Sequence, residues 1–424
     1  MADDPPAPVR TRPPEGVVDS ARGWRRPFDS LSIPQFRLLF ASAFFSHAGI
    51  QMTSVARPWL AFAVSDSALA LGLVAAAQGV SMLILSPFGG VAADRLPKRI
   101  VLHVSTSVLM LIAAITTAIV FFDVVEIWHL TVLAAIHGIA LPFNQSARHS
   151  FVPFLVPRSK LPNALGLFSS VRNMNQIVGP SIAGILIATD PFLAFSVIIA
   201  MQVVAFGLAV RLPMGLPVER PQRSIVGDLV FGMRYVWMNP TLRTLVGLSL
   251  VAILFGFPYQ HLLPVFQKEV LDVGPERLGF MYASVGMGAL VASMLIASFP
   301  VLVHKGYPQL FAGIAFGIGL VAFALSSVYL LSLGLLLVTG MASQAYATLN
   351  STLMMLNAEP QFFGRVSSIN MMSRGFMPLA VLPFGALIDK FGAPATVAMA
   401  GGALAMAILL IGAIRPALWR EQRH

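Results

Sequence analysis

Apolar residues run along this chain in long blocks, and polar residues gather between them. Twelve blocks can be placed, six near 36–64, 70–92, 99–122, 127–155, 163–189 and 192–211. Six more lie near 241–266, 276–303, 308–328, 330–357, 365–389 and 394–415. Most exceed the roughly 20 residues that carry a helix across a bilayer core. Barrel strands would be about 10 residues long with alternating polarity, and that alternation is absent. The pattern predicts an all-α membrane protein with twelve transmembrane helices. Residues 1–35 are expected to be a disordered basic tail, rich in proline and lacking the apolar core of a signal peptide. A six-helix bundle at 36–211 then precedes a polar linker at 212–240, where "SIVGDLVFGMRYVWM" (224–238) suits an amphipathic surface helix. A second six-helix bundle at 241–415 and a short tail at 416–424 complete the order.

Composition sharpens this picture. The chain is 57% hydrophobic and 11% charged, whereas a soluble domain carries about 25% charged residues. The net charge of +10 invites a nucleic-acid reading, but its placement argues otherwise. With both termini in the cytoplasm, 21 of the 28 basic residues fall in tails and cytoplasmic loops. Lys268, Arg277 and Lys390 fall outside, and Arg57, Arg148, Arg172 and Arg374 fall within spans. That asymmetry predicts a multi-pass protein of the plasma (inner) membrane, with both termini cytoplasmic and no nucleic-acid partner. There is no cysteine, phosphate-binding loop, paired-carboxylate motif or metal-spaced histidine cluster. No enzyme activity, cofactor or metal is expected.

The halves repeat. "GIALPFNQSARHSFVPFLVPRSKLPN" and the helix after it share a rhythm with "GMASQAYATLNSTLMMLNAEPQFFGRVSSINMMSRG". Gly138 and Gly340 stand 202 residues apart, as do Arg172 and Arg374. Two pseudosymmetric six-helix bundles are the plan of a secondary transporter with its site between them.

Between the second and third spans lies "GGVAADRLPKR", a charged cytoplasmic turn after a glycine-rich run. Gly89 and Gly90 are expected to let helices approach closely, and Asp94 at the membrane edge needs a partner. The stretch resembles the loop signature of the major facilitator superfamily, G-x-x-x-D-R-x-G-R-R. Gly90, Asp94, Arg95, Lys98 and Arg99 fall on it, and Pro97 replaces its second glycine. The resemblance implies a gating latch in which Asp94 faces the chain near Arg365 to Ser368 and holds the cytoplasmic side closed. "NQIVGPSIAG" is similar to the family's antiporter motif, with Gly179, Pro180 and Gly184 matching and Asn175 and Ala183 replacing glycines. The branch it resembles holds the enterobactin exporter and macrolide efflux pumps. That implies alternating-access export of a small amphiphilic molecule, siderophore-like, anionic or drug-like, by a proton-coupled or other ion-coupled monomer in the lipid bilayer. Facilitated or exchange transport, import, and a non-transporting receptor in the same fold remain the alternatives.

By this placement no acid lies deep in a span, which leaves the cations as candidates because an ionisable side chain there is expensive. Arg57 either snorkels or faces the cavity, and Arg148 either anchors its helix or meets a ligand. Arg172 and Arg374 lie about nine residues, some 13 Å, into their helices, in matching positions suited to a gate or an anion site. His137 and His47 are packing residues or proton carriers. Gln51, Asn144 and Gln145 are expected to face a cavity, since lipid penalises bare amides.

Overall fold

The computed structural model describes residues 26–157, 160–214, 233–299, 306–359 and 363–414. Twelve long helices dominate, and the described residues contain no strand. In the first half they are α1 (Pro34–Ser65), α2 (Ala68–Arg95), α3 (Lys98–Phe121), α4 (Ile127–Leu155), α5 (Leu161–Thr189) and α6 (Pro191–Ala209). The second half has α7 (Pro240–Val270), α8 (Pro275–Ser298), α9 (Gly306–Ala324), α10 (Tyr329–Leu356), α11 (Phe363–Phe391) and α12 (Ala393–Ile414). Ten are long and apolar enough to cross a membrane, and α5 and α11, with 29 residues each, are as long. Because the helices alternate in direction, the start of α1 and the end of α12 share one end of the molecule. Below, this is the terminal end, and the opposite one is the far end.

Local chemistry sets the helix boundaries. Proline occupies the first turn of α1, α5, α6, α7 and α8, where its missing N–H costs nothing. Ser67, Asp190 and Asn239 accept hydrogen bonds from the first-turn N–H groups of α2, α6 and α7. Asp66, Asp123 and Asp272 take the left-handed conformation just beyond α1, α3 and α7, which a short polar side chain tolerates better than a branched apolar one. Helix α7 is interrupted by two π-helical turns, Ala252–Gly256 and Phe266–Val270.

Within the first half, α2 packs on α4, α1 on α5 and α6, and α3 on α4 and α6. In the second half α8 packs on α10, and α9 on α10 and α12. The repeat is visible in atomic detail: a side chain on Gly138 of α4 would overlap the Gln78 carbonyl of α2, and one on Gly340 of α10 would overlap the Val285 carbonyl of α8. Small residues at matching positions let the same helix pair close in each half.

Two expectations change on inspection. Residues 26–32, expected in the disordered tail, form a 3-10 segment, Arg26–Ser32. It is tied to α5 through Ser30 N–H to Asn163 Oδ1 (3.1 Å), Ser30 Oγ to the Lys160 carbonyl (3.1 Å) and the Lys160–Asp29 pair. Gly89 does sit against Pro142 of α4, but a side chain on Gly90 would meet nothing within 4 Å. Gly90 therefore contributes no close approach here. Most of the amphipathic segment expected at 224–238 lies outside the described residues.

Candidate functional site

The two halves meet along two helix pairs, α2 with α11 and α5 with α8. Glycines carry the contact. Gly72 and Gly79 of α2 lie against the backbone of Leu382 and Leu379, at 2.9 and 3.0 Å from an added Cβ, and Gly385 of α11 abuts Ala68. On the other seam Gly184 abuts Gly279, and Gly286 lies against Gln176 and Ile177. All these approaches fall toward the far end. The motif glycines divide the labour: Gly179 seats α5 on α1, where an added Cβ would come within 2.7 Å of Gln51 Cβ, and Gly184 seats it on α8. Pro180, inside α5, turns its carbonyl toward Gly279. Asn175, where the motif has glycine, is fully buried and donates from Nδ2 to the carbonyls of Phe44 on α1 (3.2 Å) and Val171 (3.0 Å).

Polar links close the far end above these seams. The Asp389 carboxylate at the end of α11 accepts from Ser67 Oγ (3.0 Å), Ala68 N–H (3.0 Å) and Leu69 N–H (3.3 Å). A carboxylate of one half thus caps a helix of the other, where the helix dipole favours negative charge. Beside it, Lys268, carried on the second π turn of α7, pairs with Asp66 at 2.6 Å and lies over the Phe62 ring. Sequence reasoning missed both links, which join positions 202 or more residues apart.

Inside the first half are two buried guanidinium groups. Arg148 is 1% exposed. Its Nε donates to Asn144 Oδ1 (2.9 Å) and its Nη1 to Ser42 Oγ (3.1 Å), while Nη2 has no partner. Asn144 in turn donates to Thr106 Oγ1 (2.9 Å) and Ser105 Oγ (3.3 Å) on α3, and Ser42 donates to the Ala205 carbonyl on α6. This network ties α1, α3, α4 and α6 together, so Asn144 points into the bundle rather than into a cavity.

Nearer the far end, Arg57 of α1 is 4% exposed and does not snorkel. Its Nη1 donates to Gln78 Oε1 of α2 (3.2 Å) and meets His137 Nδ1 of α4 at 3.1 Å. A guanidinium cannot accept, so His137 accepts at Nδ1 and is neutral. The group borders a cavity of about 20 Å³, also lined by Thr53, Thr116 and Gln202, and the Gln202 Oε1 is buried without a partner. Among the described residues, no carboxylate lies within ion-pair distance of Arg57 or Arg148.

The remaining candidates scatter. Arg172 is exposed on α5, in the half nearer the terminal end. His47, Gln51 and Gln145 are half-buried. At the charged turn, Arg99 donates to the Val210 carbonyl (2.6 Å), Lys98 is buried under the Phe154 ring, and Arg95 is exposed. The side chains of Asp94, of its expected partners Arg365 to Ser368, and of Arg374 lie outside the described residues.

The chain is similar to known proteins over most of its length. A family model described as "transmembrane secretion effector" matches residues 25–422. The multidrug efflux pump Tap of Mycolicibacterium fortuitum is 29% identical over 90% of this chain and 94% of its own length. The enterobactin exporter EntS of Escherichia coli is 22% identical, over 92% of this chain and 93% of its own. Among solved structures, the peptide transporter POT superposes with a TM-score of 0.72 at 14% identity, covering 91% of this chain and 95% of that one. The chain therefore belongs to the transmembrane secretion effector family of the major facilitator superfamily and is a membrane transporter of small molecules, not an enzyme.

Proposed function

We propose that this chain exports a small amphiphilic molecule by alternating access, with the terminal end in the cytoplasm and the far end outside the inner membrane. The observation that carries the reading is the far-end seal: glycine-to-backbone seams topped by the Asp389 cap and the Lys268–Asp66 pair. Such a seal closes one side, and glycines at the seam let the helices of the two halves meet closely. The relatives named as an efflux pump and an exporter support the outward direction. Lys268, which departs from the positive-inside rule, has a reason to lie outside if it belongs to a gate.

The cargo is polar or anionic. Arg148 has no carboxylate partner and Arg172 is exposed in the half that the far-end seams leave unsealed. A cation in the membrane without a carboxylate partner favours a ligand of opposite charge. Asp94 would act as the opposite latch, closing the cytoplasmic side when the far end opens. Export is coupled to a proton gradient, and the monomer is the working unit. Reconstituted protein in liposomes with an imposed pH gradient tests the whole reading. Accumulation of an anionic fluorescent probe, driven by the gradient and lost with an uncoupler, is expected. No flux of any anionic, neutral or cationic probe would overturn it.

A further inference from the structure

A proton-coupled exporter needs a group that binds a proton in one conformation and releases it in the other. The described acids all lie at helix ends or in turns, as Asp66, Glu269 and Asp389 do at the far end. Among the buried groups of the first half, one contact changes meaning on protonation. His137 Nδ1 accepts from Arg57 at 3.1 Å, and both residues are at least 95% buried. Adding a proton to Nδ1 abolishes the acceptor and sets two cations side by side, which cannot persist away from water.

Resting on the exporter reading, we infer that His137 is the proton-binding site of this transporter, with Arg57 as the group that expels the proton when the far end is closed. A proton from the outside binds Nδ1 only when Arg57 has withdrawn. The guanidinium returns to Nδ1 as the far end seals, and the proton passes to the cavity water and out toward the terminal end, the side then open. Nothing is oxidised or reduced, and the only bond made and broken is N–H.

The surroundings suit this cycle. The other groups bordering the cavity on α1, α3 and α6 are Thr53, Thr116 and Gln202, and α2 contributes Gln78. None of these titrates, so Arg57 is the sole charge facing the imidazole among the described residues. A space of about 20 Å³ holds one water molecule. The unpaired Gln202 Oε1 and the Arg57 guanidinium give that water an acceptor and a donor. Arg57 also sits nine residues before Asp66 on the same helix, about 13 Å from the gate. A shift of α1 that frees Arg57 thus reaches the Lys268–Asp66 pair directly.

The chain has no native cysteine, so Phe122→Cys and Ser327→Cys place spin labels in far-end turns of the two halves. Distances in lipid nanodiscs, without any cargo, are then measured from about pH 8 to about pH 5. In the wild-type background the closed-distance population should give way to an open one as the pH falls. His137→Gln should hold the closed distance across the range. Arg57→Gln, which removes the expelling charge, should move the midpoint up by about one pH unit or more. The latter variant keeps the idea testable if His137→Gln does not fold. A pH response that survives His137→Gln, or an unmoved midpoint in Arg57→Gln, overturns the assignment, as does a wild type with no response. Because no cargo is used, these outcomes are separable from failure of the exporter reading, which shows as absent flux.

Discussion

The two halves share a scaffold but not a charge. At positions 202 residues apart, His137 faces Thr339, Asn144 faces Tyr346 and Arg148 faces Asn350, while Arg57, on the helix pair whose ends lie 206 apart, faces Leu263. The second-half residues are neutral and mostly satisfied locally: Tyr346 donates to the Leu248 carbonyl (2.8 Å), Thr339 to Leu335 (2.7 Å), and Asn350 accepts from Gln309 (2.5 Å). The first half instead holds two buried guanidiniums with no carboxylate in reach among the described residues. Buried charge is costly and does little for stability unless paired. What the repeat keeps in both halves is therefore packing, and what it keeps in one half is a candidate for work.

The largest expected effect tests the shared scaffold. Gly138→Val and Gly340→Val should be equally damaging, since each drives a side chain into a carbonyl of the neighbouring helix. Overpacking of this kind costs about 1–3 kcal/mol or more, and thermal unfolding in detergent should fall similarly for both. A large loss in one half alone would break the symmetry argument.

A smaller but more selective effect should separate the halves. Arg148→Asn, which copies the second half, should reduce flux of an anionic probe by about tenfold or more, the equivalent of one charge-assisted contact. Asn350→Ala should leave flux within about twofold and cost about 1 kcal/mol of stability through the lost Gln309 bond. Equal flux losses from both variants would erase the division of roles.

At the gate, Asp389→Asn should weaken the cap on α2 and shift the far end toward open by about 1 kcal/mol, a roughly fivefold change in population. The distance between spin labels at Phe122→Cys and Ser327→Cys would report it. The smallest effect belongs to Lys268→Gln. Its pair with Asp66 is half-exposed or more on both sides, so the change should stay under about 1 kcal/mol and vanish in high salt.

The fold was legible because a bilayer imposes a minimum apolar length and forces backbone hydrogen bonding into helices. Block edges at 127–155 and 163–189 fall within two residues of α4 and α5. The site was legible only in its charges. Arg57, His137 and Arg148 stand out in any apolar span, and the four-residue spacing of Asn144 and Arg148 places them on one helix face. Gln78, Ser42 and Gln202 did not stand out, because a single neutral polar residue in a span gives no sign of its partner on another helix. The gate was hidden for another reason. Lys268 and Asp389 look like ordinary loop charges until the two halves are brought together.

Helix α7 carries a consequence for the reach of each half. Asp66 and Asp272 both end the first helix of their half in the left-handed conformation, yet they stand 206 residues apart rather than 202. Pro34 and Pro240, which open the two helices, stand 206 apart as well, so α1 and α7 are nearly equal in length, 32 and 31 residues. Lys268 lies within a π turn of α7, the form an inserted residue takes in an existing helix, at the position where α1 carries Phe62. The two helices reach equally far, and only one of them ends in a cation that grips the other half. A protein assembled from two copies of the first half would keep the glycine seams and lose the hand that fastens them.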